Sequence, residues 1–125
     1  LLLLVACAGT GAPRRHALEP RLVEALRSHD PAVRCEAAYV LGAHGDGAHI
    51  DAIGELAGDA NAIVARGALA ALGRIAEGDS RLQAAALPHL LRALRHPDAT
   101  ARQSAAIAAF RVRHRINIDP EELAS

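Results

Sequence analysis

The sequence predicts an all-α fold, an α-solenoid of about three stacked helical hairpins. Apolar residues recur at helical spacing in segments of roughly ten to sixteen residues, separated by short Asp, Gly and Pro punctuation. A set of residues returns along the chain at a nearly constant interval. The apolar share is mostly Ala, Leu, Val and Ile, with one Tyr, one Phe, no Trp and no Met, which suits close-packed helices better than a sheet.

The first hairpin is expected over residues 18–47. Leu18, Leu22, Val23 and Leu26 form one face of its first helix, which stops at Ser28-His29-Asp30-Pro31. Asp30 can cap the second helix by accepting from its free amides, and Pro31 suits the first helical position, where its missing N–H is not needed. Val33, Ala37, Ala38 and Leu41 are expected to face inward, with His44-Gly45-Asp46-Gly47 reversing the chain. The second hairpin, 48–80, pairs Ile50, Ile53 and Leu56 with Ile63, Val64, Ala68, Leu69, Leu72 and Gly73 across a break at Asp59-Ala60-Asn61. Val64, Ala68, Leu72 and Gly73 each follow Val33, Ala37, Leu41 and Gly42 by 31 positions. The third, 81–119, has Leu87, Leu90, Leu91 and Leu94, then His96-Pro97-Asp98, then Arg102, Ala105, Ala106, Ala109 and Phe110. Its interval is longer because Glu77-Gly78-Asp79-Ser80 extends the connection. A two-helix unit of this length cannot bury its apolar side alone and must stack on neighbours, and alanine at matching positions lets the helices approach. The competing architecture is a generic Ala-rich bundle.

The segment Asp30-Pro31-Ala32-Val33-Arg34-Cys35-Glu36-Ala37-Ala38-Tyr39-Val40-Leu41-Gly42 is similar to the second half of a HEAT repeat, particularly the variety found in bacterial proteins and phycobilisome lyases. The resemblance extends over nearly all of residues 18–119. Later copies depart from it: Ala65 replaces Arg34, Ala101 replaces Val33, and Phe110 stands where Gly42 was. It implies a curved solenoid that holds another protein and performs no chemistry itself. In HEAT-fold deoxyhypusine hydroxylases, His-Glu pairs at the start of repeat helices hold iron. The matching pairs here are Cys35-Glu36, Arg66-Gly67 and Gln103-Ser104, so the His ligands are missing and that activity does not carry over. An auxiliary lyase-like or metal-dependent modifying protein is the alternative reading, in which Cys35 or His44 would have to matter.

No catalytic, cofactor-binding or metal-binding residues are expected. His44, Asp46, His49 and Asp51 cluster in one stretch, but their spacing matches no zinc motif, and Gly45 and Gly47 leave the turn unconstrained. His29 and His96 sit at interhelix turns and are read as structural partners of helix C-terminal carbonyls. With 14 Arg, no Lys and 14 acids, the formal charge is zero, which gives no general nucleic-acid or anionic-membrane footprint. Arg111-Val112-Arg113-His114-Arg115 is basic, but it falls at a helix C-terminus, where positive charge is locally favourable. No small-molecule substrate is evident.

The opening Leu1-Leu2-Leu3-Leu4-Val5-Ala6-Cys7, followed by Ala8-Gly9-Thr10-Gly11-Ala12-Pro13, reads as part of a signal peptide and a flexible linker, together residues 1–17. Leu4-Val5-Ala6-Cys7 resembles the lipobox of bacterial lipoproteins, which implies cleavage before a lipidated Cys7 and a membrane-anchored protein of the cell envelope. Ala6-Cys7-Ala8 also fits ordinary secretion to the periplasm or beyond. The Leu run also fits a truncated core helix, which would leave the chain cytoplasmic. Once Cys7 is acylated, Cys35 has no partner within the chain, so no disulfide is expected. Asp119-Pro120-Glu121-Glu122-Leu123 reads as the start of a further helix over 120–125. The sequence is therefore read as a fragment, with more repeats expected beyond it.

In HEAT arrays the second helices line the concave surface. Helical spacing places Glu36 and Tyr39 outward from the first copy, and repeat matching adds Arg66, Arg74, Gln103, Ile107 and Arg111. These seven are the candidate contacts for a protein partner, since Tyr and Arg are the types most enriched at binding hot spots.

Overall fold

The structure, a computed structural model, describes residues 20–44 and 47–115. The signal-peptide and Cys7 reading, the linker, Leu18, Gly45 and Asp46 of the first reversal, and the helix start at Asp119-Pro120 lie outside the described residues. Helical turns at 20–25 (α1) are followed by α2 (Pro31–Ala43), α3 (Ile50–Leu56), α4 (Ala62–Ile75), α5 (Ser80–Ala93) and α6 (Ala99–Arg115). Among the described residues there is no strand, and no helix is long and apolar enough to cross a membrane.

Local chemistry sets the helix starts. The Asp30 carboxylate accepts from the Ala32 amide at 2.9 Å, with Pro31 in the first turn of α2. Asn61 caps α4 by accepting from Ile63 at 2.9 Å, and Asp79 caps α5 by accepting from Arg81 at 2.8 Å. Asp98 accepts from the Ala101 amide of α6 at 2.9 Å. The Thr100 hydroxyl, and after it that amide, hold the Asp98 carboxyl below its ordinary pKa.

The helices stack as two layers. The second helices α2, α4 and α6 pack side by side, α2 on α4 and α4 on α6, while α3 and α5 pack on each other as the outer layer. The core between them is aliphatic: Leu26, Leu41, Ile53, Leu69, Leu72, Ile75 and Leu90 are buried among many alanines. Burial of this kind contributes roughly 25 cal/mol per Å² of apolar surface, and for each hairpin much of it exists only against its neighbour. Small residues permit the approach of α2 to α4. A Cβ on Gly42 would lie 2.6 Å from the Ala71 Cβ and 2.7 Å from its Cα, whereas one on Gly73, the matching residue of α4, would meet only the Ala108 Cβ at 4.0 Å.

Five large apolar residues of the repeat pattern, Val33, Ile63, Leu91, Leu94 and Phe110, are exposed instead. Val33 is 38% exposed, while Val64 and Ala101 at the same repeat position are buried. Ile63, 68% exposed, lies about 100° around α4 from the buried Val64, so the two cannot share a face. Leu91 stands in the same relation to Leu90, and Leu94 sits at the end of α5, at the margin of the outer layer.

The turns inside the hairpins are tied to one another. Arg34 donates from Nε to Asp59 Oδ2 at 3.1 Å and from Nη2 to Asp59 Oδ1 at 3.3 Å, and its Nη1 reaches back to the Ser28 carbonyl at 2.8 Å. Both side chains of the Arg34–Asp59 pair are mostly buried, at 18% and 15% exposure, so the bidentate pair is little screened. Arg102 repeats the backward contact in the third hairpin, donating to the carbonyls of His96 and Pro97 at 2.8 Å. The second hairpin has Ala65 where these arginines stand. There the equivalent carbonyl, that of Asp59, accepts from His96 Nε2 at 2.7 Å. His96 Nδ1 accepts the Asp98 amide at 2.9 Å, which puts the ring proton on Nε2. His96 is thus buried and structural, as expected of it, whereas His29 is exposed.

Two measurements check this packing. Gly42→Ala should lower thermal stability by about 1 kcal/mol or more despite alanine's better helix propensity, because the new methyl meets backbone that cannot yield. Gly73→Ala should leave stability unchanged or raise it, and equal behaviour of the two variants would contradict the close approach at Gly42. In urea titrations Asp59→Ala should cost about 2 kcal/mol, with a favourable coupling to Arg34 of about 1 kcal/mol or more in a double-mutant cycle; additive losses would mean that the pair does not hold the turns together.

Candidate protein-binding groove

The outer face of the second-helix layer is a groove of about 750 Å³ that crosses α2, α4 and α6. Its walls follow helical periodicity. On α4, Ile63, Arg66, Ala70 and Arg74 recur at intervals of three to four residues and form one stripe, and on α6 Ser104, Ile107 and Arg111 form another. Cys35 and Tyr39 close the groove on α2. Burial of the opposite faces, through Ala37 and Leu41, Ala68 and Leu72, and Ala101 and Ala105, fixes which way these stripes turn.

Large apolar side chains remain open here: Tyr39 is 54% exposed and Ile107 48%. Between them stand Arg66, Arg74 and Arg111, all exposed, while the one carboxylate among the described lining residues is Glu77. The Arg74 guanidinium lies over the Tyr39 ring, 5.2 Å from its centroid, a cation–π contact that joins the first two hairpins across the groove. Gly67 forms part of the floor, and a Cβ there would lie 2.7 Å from Cys35 Sγ. The thiol points to the Ile63 carbonyl at 3.8 Å.

Of the seven contact candidates, Tyr39, Arg66, Arg74, Ile107 and Arg111 lie together in this groove. Gln103 is exposed on α6 and Glu36 half-buried on α2, both outside its lining. Spacing alone did not single out Ile63, whose exposed methyl groups extend the apolar wall. Within the histidine and aspartate stretch, Asp51 accepts from His89 Nε2 at 3.0 Å, across to α5, while Asp46 lies outside the described residues. His89 Nδ1 takes an N–H from Arg92 at 2.6 Å, and its ring packs on Gly54, where a Cβ would collide with it. This link ties α3 to α5 in the outer layer, 38 residues apart in sequence, and no local motif announces it. Among the described residues no three His, Cys, Asp or Glu side chains converge as a metal site.

The floor geometry is testable. Gly67→Ala should destabilise the chain in thermal unfolding but become neutral or stabilising in a Cys35→Ala background, where the sulfur is gone and only the propensity gain of up to about 1 kcal/mol remains. The same effect in both backgrounds would show that α2 and α4 do not meet at this point.

Comparison with known proteins agrees with this architecture. A search of curated proteins finds no match to the chain. Residues 19–111 match the sequence profile for HEAT repeats, a span that covers all three hairpins up to Arg111 of the groove. Repeats of this kind commonly serve as protein-interaction scaffolds. The chain belongs to the HEAT-repeat family.

Proposed function

We propose that the chain is a non-catalytic scaffold that binds another protein in the groove of its second-helix layer, and that it is held at the bacterial cell envelope by a lipidated Cys7. The observation that carries the binding reading is the groove itself, where exposed Tyr39 and Ile107 stand among three arginines on a rigid, packed layer. Aromatic and arginine side chains are the ones that dominate binding energy when a partner excludes water from them. Rigid helices also limit the ordering cost of association. The anchor rests on Leu4-Val5-Ala6-Cys7 and on the Gly- and Pro-containing linker after it, which would let the repeats stand away from a membrane.

Both parts can be tested in one bacterial expression system. A photo-crosslinking amino acid at Tyr39 or Ile107 should give a discrete protein adduct, and the same group at Ala84, exposed on α5, should give none. Adducts from Ala84 alone, or from no position, would overturn the groove as the binding face. Fatty-acid labelling and membrane fractionation should follow the wild-type chain and disappear with Cys7→Ala. Unlabelled wild-type protein would remove the anchor while leaving the groove reading intact.

A further inference from the structure

We infer that the groove takes an acidic amphipathic segment of a partner protein, one with carboxylates flanking apolar side chains. This rests on the scaffold reading and specifies the chemistry of its partner. Arg66, Arg74 and Arg111 line the groove with no carboxylate in ion-pair contact among the described residues, although the whole chain has as many acids as arginines. Positive charge is therefore gathered on this face without being general to the protein.

The chain itself shows what such an arginine does when a carboxylate is presented to it. Arg34 takes Asp59 with two N–H donors of one guanidinium, the geometry that makes arginine selective for planar carboxylates. Arg74 is held in advance, because its guanidinium already rests over the Tyr39 ring. An arginine stacked in this way keeps donors for a carboxylate and loses less side-chain freedom when one arrives. Arg66 and Arg74 are two helical turns apart on α4, about 12 Å, and Arg111 rises from the neighbouring helix about 8–10 Å away. Acidic residues spaced by about two turns on a partner helix span the same distance. Ile63 and Ile107 beside the arginines offer the apolar contact that such a helix presents between its acids.

Phosphate would also satisfy arginine, but a single-stranded nucleic acid is the weaker fit. The groove offers one aromatic ring for stacking, aliphatic side chains elsewhere, and no net charge on the chain to draw a polyanion.

Fluorescence polarisation on the full chain tests the assignment with two labelled helical peptides of about fifteen residues, one bearing Glu opposite Leu and the other Gln in place of Glu. The Glu peptide should bind at least about tenfold more tightly, and added salt should weaken it. The variant Arg66→Gln/Arg74→Gln/Arg111→Gln should lose about tenfold with an unchanged circular dichroism spectrum. A control of equal charge change outside the groove, Arg27→Gln/Arg81→Gln/Arg95→Gln, should lose no more than about twofold. Equal binding of the two peptides would overturn the acidic partner and leave groove docking standing. Equal loss in the two triple variants would overturn it in favour of diffuse attraction. Displacement of the peptide by single-stranded oligothymidine of matched charge, with tighter binding of that strand, would overturn it in favour of a nucleic acid. Absence of binding to either peptide would also overturn it, and the crosslinks from Tyr39 and Ile107 would then decide whether the scaffold reading falls with it.

Discussion

The fit of α2 against α4 at small residues is the constraint on which the remaining structure depends. Each hairpin is too short to bury its own apolar face, so stability must come from contact between hairpins. That contact requires backbones to approach where Gly42 meets Ala71 and where Gly67 meets Cys35. Larger side chains at these points would push the second helices apart and uncover Leu41, Leu69 and Leu72. Once the layer is closed, the opposite faces of the same helices have to turn outward, and the groove follows from helical periodicity alone.

A second requirement is that carbonyls in the hairpin turns be satisfied as neighbouring turns close around them. One backbone position, met once in each hairpin, solves this in two ways. The Ser28 carbonyl takes Arg34 from its own hairpin, the His96 carbonyl takes Arg102 in the same manner, and the Asp59 carbonyl takes the His96 ring from the next hairpin. The second way itself joins neighbouring hairpins. Asp59 therefore holds the first hairpin through its carboxylate and the third through its carbonyl, which fixes the rotation between successive repeats and with it the shape of the groove.

The sequence discloses what is local. The helices, the Asp30 cap, the Pro31 position and the repeating Val, Ala, Leu and Gly places follow from spacing and from hydrogen-bond chemistry within a few residues. Outward placement of Tyr39, Arg66, Arg74, Ile107 and Arg111 is local in the same sense, since it needs only the buried face of each helix. What it conceals is settled between elements. Val33 repeats a core position yet is exposed, whereas Val64 and Ala101 at the same place in later copies are buried. Ala65 reads as decay of the repeat until His96 is seen to supply the missing donor from 37 residues beyond Asp59. The joining of Asp51 to His89 depends likewise on two helices that the sequence does not show to be neighbours.

Stability resides in the stacking of the second helices, with α4 supported on both sides. Native-state hydrogen exchange resolved by residue measures this directly, because amide protection reports the free energy of each opening. The buried amides of α4 around Ala68–Leu72 should exchange last, near the rate set by global unfolding, and those of α2 and α6 earlier. Exchange from α4 as fast as from α2 or α6 would contradict the account, since it would mean that each helix draws its stability from its own hairpin and not from the stack.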